Sequence, residues 1–280
     1  MRIIRKPSQF QSLVRKISRP LVLVPTMGAL HEGHLALVRK ARKLAGRQGA
    51  VAASLFVNPT QFGPKEDFSR YPRPFRRDCS LLRKNGCDLL FAPEMGDMYY
   101  PDRSIVIMEN QLSKVMCGAS RPGHFDGVCL VVSKLFHIVQ PDMGVFGEKD
   151  YQQLAILRRM VRDLNFPIRI VSHPTVREAD GLAMSSRNNY LSEEERRQAP
   201  IIYETFCVAD EKIRAGNISK NKLANWIRQK IESAPLAKVD YVEIVNPDDL
   251  QPVHELEPPL LLAAAVFFGK TRLIDNRLVK

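Results

Sequence analysis

Two histidines three residues apart, His31 and His34, sit in the segment Met27-Gly28-Ala29-Leu30-His31-Glu32-Gly33-His34. The apolar run Leu21–Val24 precedes them, and a periodic stretch opens at Leu35. If Gly33 and His34 enter a helix, both imidazoles can face one anion near its N-terminus. Backbone N–H groups and the helix dipole already favour negative charge there. Imidazole N–H donors so placed would stabilise the charge that builds on phosphate oxygens during nucleotidyl transfer. An H-E-x-x-H zinc site fails because position 35 is Leu35. A metal site built on His31 and His34 would need further ligands that the sequence does not supply, so no protein-held metal is expected. A structural role for the pair stays open.

Three more constellations can carry chemistry. Asn58-Pro59-Thr60-Gln61-Phe62-Gly63 offers Gln61, a donor and acceptor suited to hydroxyl and carboxylate groups, or else a plain turn. In Gly147-Glu148-Lys149-Asp150-Tyr151-Gln152-Gln153, Lys149 can neutralise phosphate. Asp150 can hold a ribose hydroxyl, or cap a helix with Gln153 as its reciprocal partner. Met184-Ser185-Ser186-Arg187 is either a phosphate grip, with Arg187 suited to bidentate contacts, or a solvated linker. Neither a Walker A pattern nor G-x-G-x-x-G occurs, which argues against P-loop and dinucleotide folds.

The elements that must position these groups alternate through the first two thirds. Strands are expected at Leu21–Val24, Ala50–Val57, Asp88–Ala92, Met143–Phe146 and Pro167–Val171. Helices are expected at Gly33–Leu44, Arg76–Asn85, Val128–Val139 and Tyr151–Leu164. That rhythm implies an α/β, Rossmann-like, mostly parallel sheet with helices on both faces, binding ligands at the strands' carboxyl ends. After about residue 175 the rhythm changes. Thr175–Tyr190 is polar and turn-rich, Ser192 and Glu195 look like a capping box, and Pro200 kinks or restarts the helix that follows. A helix over Ser219–Ser233 and strands at Val239–Val245, Leu260–Phe267 and Thr271–Asp275 complete a smaller α+β unit. The expected domains are 1–175 and 176–280.

A chain of 280 residues with 45% hydrophobic and 26% charged residues suits a soluble globular protein. It holds no apolar run long enough for a membrane span and no signal-like core after the basic start Met1–Lys6. The five cysteines form no C-x-x-C pair and read as reduced thiols, so a cytoplasmic protein is expected. The net charge of +12 invites a nucleic-acid reading. Its basic pairs, such as Arg42-Lys43, Arg76-Arg77, Arg158-Arg159 and Arg196-Arg197, are dispersed beside acids on expected helix faces. No nucleic-acid partner is therefore expected, and a positive field would equally draw small anionic substrates.

Taken together, these segments resemble the pantothenate synthetase (pantoate–β-alanine ligase) family. The similarity runs in order through 25–34, 56–63, 71–73, 121–125, 146–154, 177–191 and 269–276. The resemblance implies that ATP and pantoate form an enzyme-bound pantoyl-adenylate and pyrophosphate. The amine of β-alanine then attacks the adenylate, giving pantothenate and AMP. By motif position, Met27, Gly28, Ala29, Leu30, His31, Glu32, Gly33 and His34 would bind ATP, with His34 in the family's proton-donor role. Gly147, Glu148, Lys149, Asp150, Val176, Met184, Ser185, Ser186 and Arg187 would complete the ATP site, with His31, His34 and Lys149 serving the chemistry. Gln61 and Gln153 would hold pantoate, and Gln61 would also help place β-alanine. The resemblance further implies Mg²⁺ with ATP as co-substrate, no prosthetic group, a homodimer and a hinged C-terminal lid. Departures from the family's usual pattern fall at Cys129 and His137, in the helix expected behind the pantoate pocket, and at Met143-Gly144-Val145.

Overall fold

The computed structural model describes residues 1–280 apart from Lys65, Asp67 and Asn217. Arg2–Ile4 forms β1 and Pro7–Val14 forms α1. The basic N-terminus conceals both, because each buries few side chains: Ile4 on the strand, Phe10 and Val14 on the helix. Then come β2 (Leu21–Thr26), α2 (Glu32–Ala45), β3 (Ala50–Leu55), α3 (Phe75–Lys84) and β4 (Leu89–Phe91). Short helices α4 (Met95–Met98) and α5 (Met116–Ser120) precede α6 (His124–Val139), β5 (Met143–Gly147), α7 (Tyr151–Asp163) and β6 (Arg169–His173).

These six strands pair in parallel in the order β1-β4-β3-β2-β5-β6. Both faces are covered, as a parallel sheet requires. Alternate residues of β2 serve opposite cores: Leu21 and Leu23 join Phe10, Phe91 and Phe136, whereas Val22 and Val24 join Leu35, Val38 and Leu82. From β2 the sheet runs to β3 on one side and to β5 on the other, which opens a crevice at the carboxyl ends of these central strands.

The remainder forms α8 (Glu193–Gln198), α9 (Ile201–Arg214), α10 (Lys220–Glu232), β7 (Ala237–Val245), β8 (Leu260–Phe268) and β9 (Thr271–Val279). The Ser192–Glu195 capping box is present, and Pro200 stands at the N-cap of α9, restarting the helix. The last three strands make a separate antiparallel sheet, β7-β8-β9. On β8, Leu260, Leu262, Ala264, Val266 and Phe268 share a core with α9 and α10, while Leu261 and Ala263 join the core of the parallel sheet. β9 extends past the expected end at Asp275, because polar residues there find buried partners: Arg277 reaches Asp210 on α9 at 2.8 Å. Within the turn-rich stretch, residues 176–184 fold into a small hairpin, with Arg177 bridged to Ala183 and Met184 N–H donating to Val176 O at 3.0 Å. Ser186–Tyr190 forms a 3-10 turn, so Met184–Arg187 is not a solvated linker.

Candidate active site

His31 is the N-cap of α2, a place usually taken by Ser, Thr, Asp or Asn. Its Nδ1 accepts from Gly33 N–H at 3.2 Å, and His34 Nδ1 accepts from His31 N–H at 3.4 Å. This is a capping box made of two imidazoles. Because each Nδ1 is an acceptor, each ring is neutral with its proton on Nε2. Burial, then the nearby Lys149 charge, lowers the His31 pKa to about 4; burial, then His31, lowers that of His34 to about 3. The ring centroids lie 4.1 Å apart. Gly33 is required for this close folding, since a Cβ there would lie 2.9 Å from His31 Cε1.

The turn before the helix is held from below. Asp78 on α3 is buried, and its carboxylate accepts from Ala29 N–H at 2.9 Å and Leu30 N–H at 3.0 Å. That support holds Ala29 at φ 51°, in a region where non-glycine residues are uncommon. Asp78 was invisible to periodicity, which reads Arg76–Asn85 as a solvated basic helix. The available signal was its position four residues before Leu82, on the buried side.

Gln61 is oriented by a network that the sequence did not reveal. Buried Asn58 donates from Nδ2 to Gln61 Oε1 at 3.0 Å and to Gly127 O at 3.1 Å, and its Oδ1 accepts from Tyr99 Oη at 2.8 Å. With Oε1 held, Gln61 presents Nε2 as its donor. His124 Nδ1–H donates to Gln61 O at 2.7 Å, and its Nε2 accepts from Arg121 Nη1 at 3.0 Å. Arg121 also pairs with Glu66, Nε to Oε1 at 2.6 Å. Burial, then Arg121, lowers the His124 pKa to about 4, so this imidazole is a neutral bracket. Helix α6 comes close enough to supply Gly127 O and His124 only because position 127 is glycine; a Cβ there would meet Thr60 O at 2.2 Å.

A cavity of about 260 Å³ lies where these parts converge. Met27, His31, Gly33, His34, Gln61 and Gln153 line it. So do Gly147, Lys149, Asp150, Val176 and the Met184–Arg187 run. Its apolar wall comes from Phe62, Val128, Val131, Val132 and Leu135. Of the residues singled out from sequence, Gly28, Ala29, Leu30, Glu32 and Glu148 do not line it. Ala29 and Leu30 turn their N–H groups to Asp78, and the Leu30 side chain is buried in the core. Glu32 pairs with Arg39, and Glu148 accepts from Ser172 Oγ at 2.7 Å. Gly28 lines a second hollow on the far side of the same turn. Asp150 stands at the N-cap of α7 but makes no side-chain cap bond, so the capping alternative with Gln153 is corrected. Its carboxylate is half exposed at the cavity instead, 4.0 Å from Lys149 Nζ. Cys129 is buried in the core, but His137 is exposed and not behind the pocket, because α6 turns that face outward. Val145 lines the cavity, whereas Met143 packs into the core.

The fold and site thus define a Rossmann-like protein with neutral N–H donors, a lysine and an arginine gathered at the crevice of its parallel sheet. The family model of pantoate-beta-alanine ligase matches residues 2–278. The chain is 48% identical to the pantothenate synthetase of Thermotoga neapolitana, over 99% of this chain and 98% of that protein. It is 50% identical to that of Thermosipho melanesiensis, over 98% and 96%. Its fold is similar to the crystal structure of pantothenate synthetase from Thermus thermophilus, with TM-score 0.92 and 44% identity over 100% of this chain and 99% of that one. It is also similar to the pantoate–β-alanine ligase of Francisella tularensis complexed with β,γ ATP and β-alanine, with TM-score 0.83 and 34% identity over 99% and 97%. The chain belongs to the pantoate–β-alanine ligase family.

Proposed function

We propose that this enzyme, an ATP-dependent ligase that joins pantoate to β-alanine, works through a pantoyl-adenylate built in the cavity described above. The observation that carries this reading is the convergence of phosphate donors and an amide-lined, apolar-walled acid pocket in one space. A pantoate carboxylate oxygen attacks the α-phosphorus of ATP, forming the O–P bond as the bond to the β-phosphate oxygen breaks and pyrophosphate leaves. The β-alanine amine then attacks the acyl carbon, and AMP departs with the oxygen that had joined them. Gln61 and Gln153 hold the hydroxyl and carboxylate groups of pantoate, and Gln61 also helps place β-alanine. Val128, Val132 and Leu135 suit the dimethyl carbon of pantoate.

Met27, Gly33, Val176, Met184, Ser185, Ser186 and Arg187 contact ATP, with Gly147 and Asp150 on the ribose side. Lys149 and the Nε2–H groups of His31 and His34 stabilise charge on the phosphates. A His34 held at about 3 is no proton donor at neutral pH, and its role is that of a neutral hydrogen-bond donor. Gly28, Ala29, Leu30, Glu32 and Glu148 serve from behind, shaping the two turns. Mg²⁺ fits the site as an ion carried in on the ATP phosphates, since the described cavity lining offers a single carboxylate, Asp150, which is assigned to the ribose. When bound it would draw charge from the phosphate oxygens.

Residues 1–175 form the binding domain and 176–280 the lid, a division supported by the two separate sheets. A homodimer is supported by the exposed Tyr100, Ile105, Val106 and Met108 on a stretch that joins no strand. Among the described residues no helix is long and apolar enough to cross a membrane. Five free thiols support a cytoplasmic setting.

Exchange of labelled pyrophosphate into ATP tests the reading. It should require pantoate and proceed without β-alanine. Exchange at full rate without pantoate would refute an acid-specific adenylation.

A further inference from the structure

We propose that Asp275 and Asn276, consecutive residues of β9 that do not line the substrate cavity, set the two halves of the phosphate site relative to each other. They are positioning residues: Asn276 acts through the backbone of Lys149, and Asp275 through the 176–184 hairpin. The proposal rests on the reading of Lys149 as a phosphate contact.

Asn276 Nδ2 donates to Glu148 O at 3.0 Å and to Lys149 O at 2.8 Å. Those carbonyls belong to the short 3-10 turn just past the end of β5, where the sheet ladder no longer fixes the chain. Asp275 takes Arg177 in a two-pronged pair, with Nη1 to Oδ2 at 2.6 Å and Nη2 to Oδ1 at 3.0 Å. Arg177 in turn donates to Gly181 O at 3.0 Å and lies 3.9 Å over the ring of Tyr203. One guanidinium therefore closes the hairpin whose far end opens into Met184, Ser185, Ser186 and Arg187. Both residues are buried, where low dielectric makes such hydrogen bonds stiff.

Strand alternation explains how adjacent residues reach different halves of the site. Asp275 pairs in register with Ala264, whose side chain lies in the core of α9 and α10. Asn276 pairs with Ala263, which packs on the core of the parallel sheet. One side of β9 thus holds the hairpin and the other holds the lysine turn. The C-terminal sheet is more than a cover over bound substrates: it sets the backbone of Lys149 before any ligand arrives, and so contributes to the first half-reaction.

A double-mutant cycle between Asn276→Ala and Lys149→Ala tests this, read by pantoate-dependent ATP–pyrophosphate exchange on protein shown to be folded by its thermal transition. Asn276→Ala should raise KM for ATP and lower the exchange rate by about tenfold each, with KM for pantoate within about twofold of the parent. In the Lys149→Ala background the same change should cost less than about twofold more, because its effect passes through that lysine. Additive losses, or an unchanged KM for ATP in folded Asn276→Ala, would overturn the proposal. A silent Lys149→Ala would overturn the reading of Lys149 on which it stands, whereas a strong Lys149→Ala beside a silent Asn276→Ala overturns the proposal alone. Should Asn276→Ala not fold, Asn276→Ser is carried through the same cycle with the same two outcomes.

Discussion

Each imidazole of the His31–His34 pair accepts a backbone N–H on Nδ1, so each is locked as an Nε2–H donor. A ring of this kind strengthens its hydrogen bond as phosphate charge grows, without transferring a proton. His34→Ala should remove at least about 2 kcal/mol of transition-state stabilisation, roughly thirtyfold in exchange rate. In the parent enzyme the exchange rate should show no ionisation near pH 6.5 assignable to this ring. A decline above neutrality that disappears in His34→Ala would instead mark it as a proton donor. The stability profile follows with a definite sign. Both histidines have folded pKa values near 3 to 4, below the 6.5 of the free side chain. The unfolded chain takes up protons first, so their contribution is complete above pH 6.5 and is withdrawn as pH falls toward 4 for His31 and 3 for His34. Denaturant unfolding should show that loss between those limits, reduced in His34→Ala. Sequence spacing was enough to bring these rings together at the N-terminus of a helix. It could not show which nitrogen carries the proton, since that depends on backbone N–H groups that meet the rings only after α2 forms.

At the scale of elements, the alternation of strand and helix was plain wherever apolar residues recur, as in β2, α2, α6 and α7. It was hidden wherever an element buries little, as in β1 and α1. The brackets behind the site were illegible for a different reason. Asp78 lies 48 residues from Leu30, and Asn58 lies 41 from Tyr99. Such pairings arise from packing and leave no local pattern. Asp78 is the sharpest case, because its carboxylate takes two backbone N–H groups of a strained turn. Asp78→Ala strands two N–H groups and should cost about 1–3 kcal/mol of stability. KM for ATP should rise with it, and Asp78→Asn, which keeps one acceptor oxygen, should recover part of both. Unfolding curves and ATP saturation that match the parent would show that the turn holds itself.

At the scale of the molecule, the Rossmann-like sheet supplies the crevice, and the antiparallel sheet braces the Glu148–Lys149 turn beside it without lining the cavity. Another contact between them is made by Arg272, which is held by Asp240 of β7 at 2.8 Å and reaches the Cys117 thiol of α5 at 3.5 Å. The two-unit organisation was readable from the change of rhythm near residue 175, but the hairpin there was not. Its order depends on Arg177 meeting Asp275, 98 residues away. The proposed homodimer is tested at the exposed Ile105–Met108 stretch: the parent should sediment as a dimer and Ile105→Asp with Val106→Asp as a monomer at micromolar concentration, and a monomeric parent would contradict the dimer. An unchanged dimer would place the interface elsewhere. Activation of pantoate by direct attack of its carboxylate on the α-phosphorus is the step on which the proposed chemistry depends. Turnover with pantoate carrying ¹⁸O in both carboxylate oxygens tests it, read by the mass of the products. One labelled oxygen should appear in AMP and none in pyrophosphate. Unlabelled AMP, or label in pyrophosphate, would contradict direct attack.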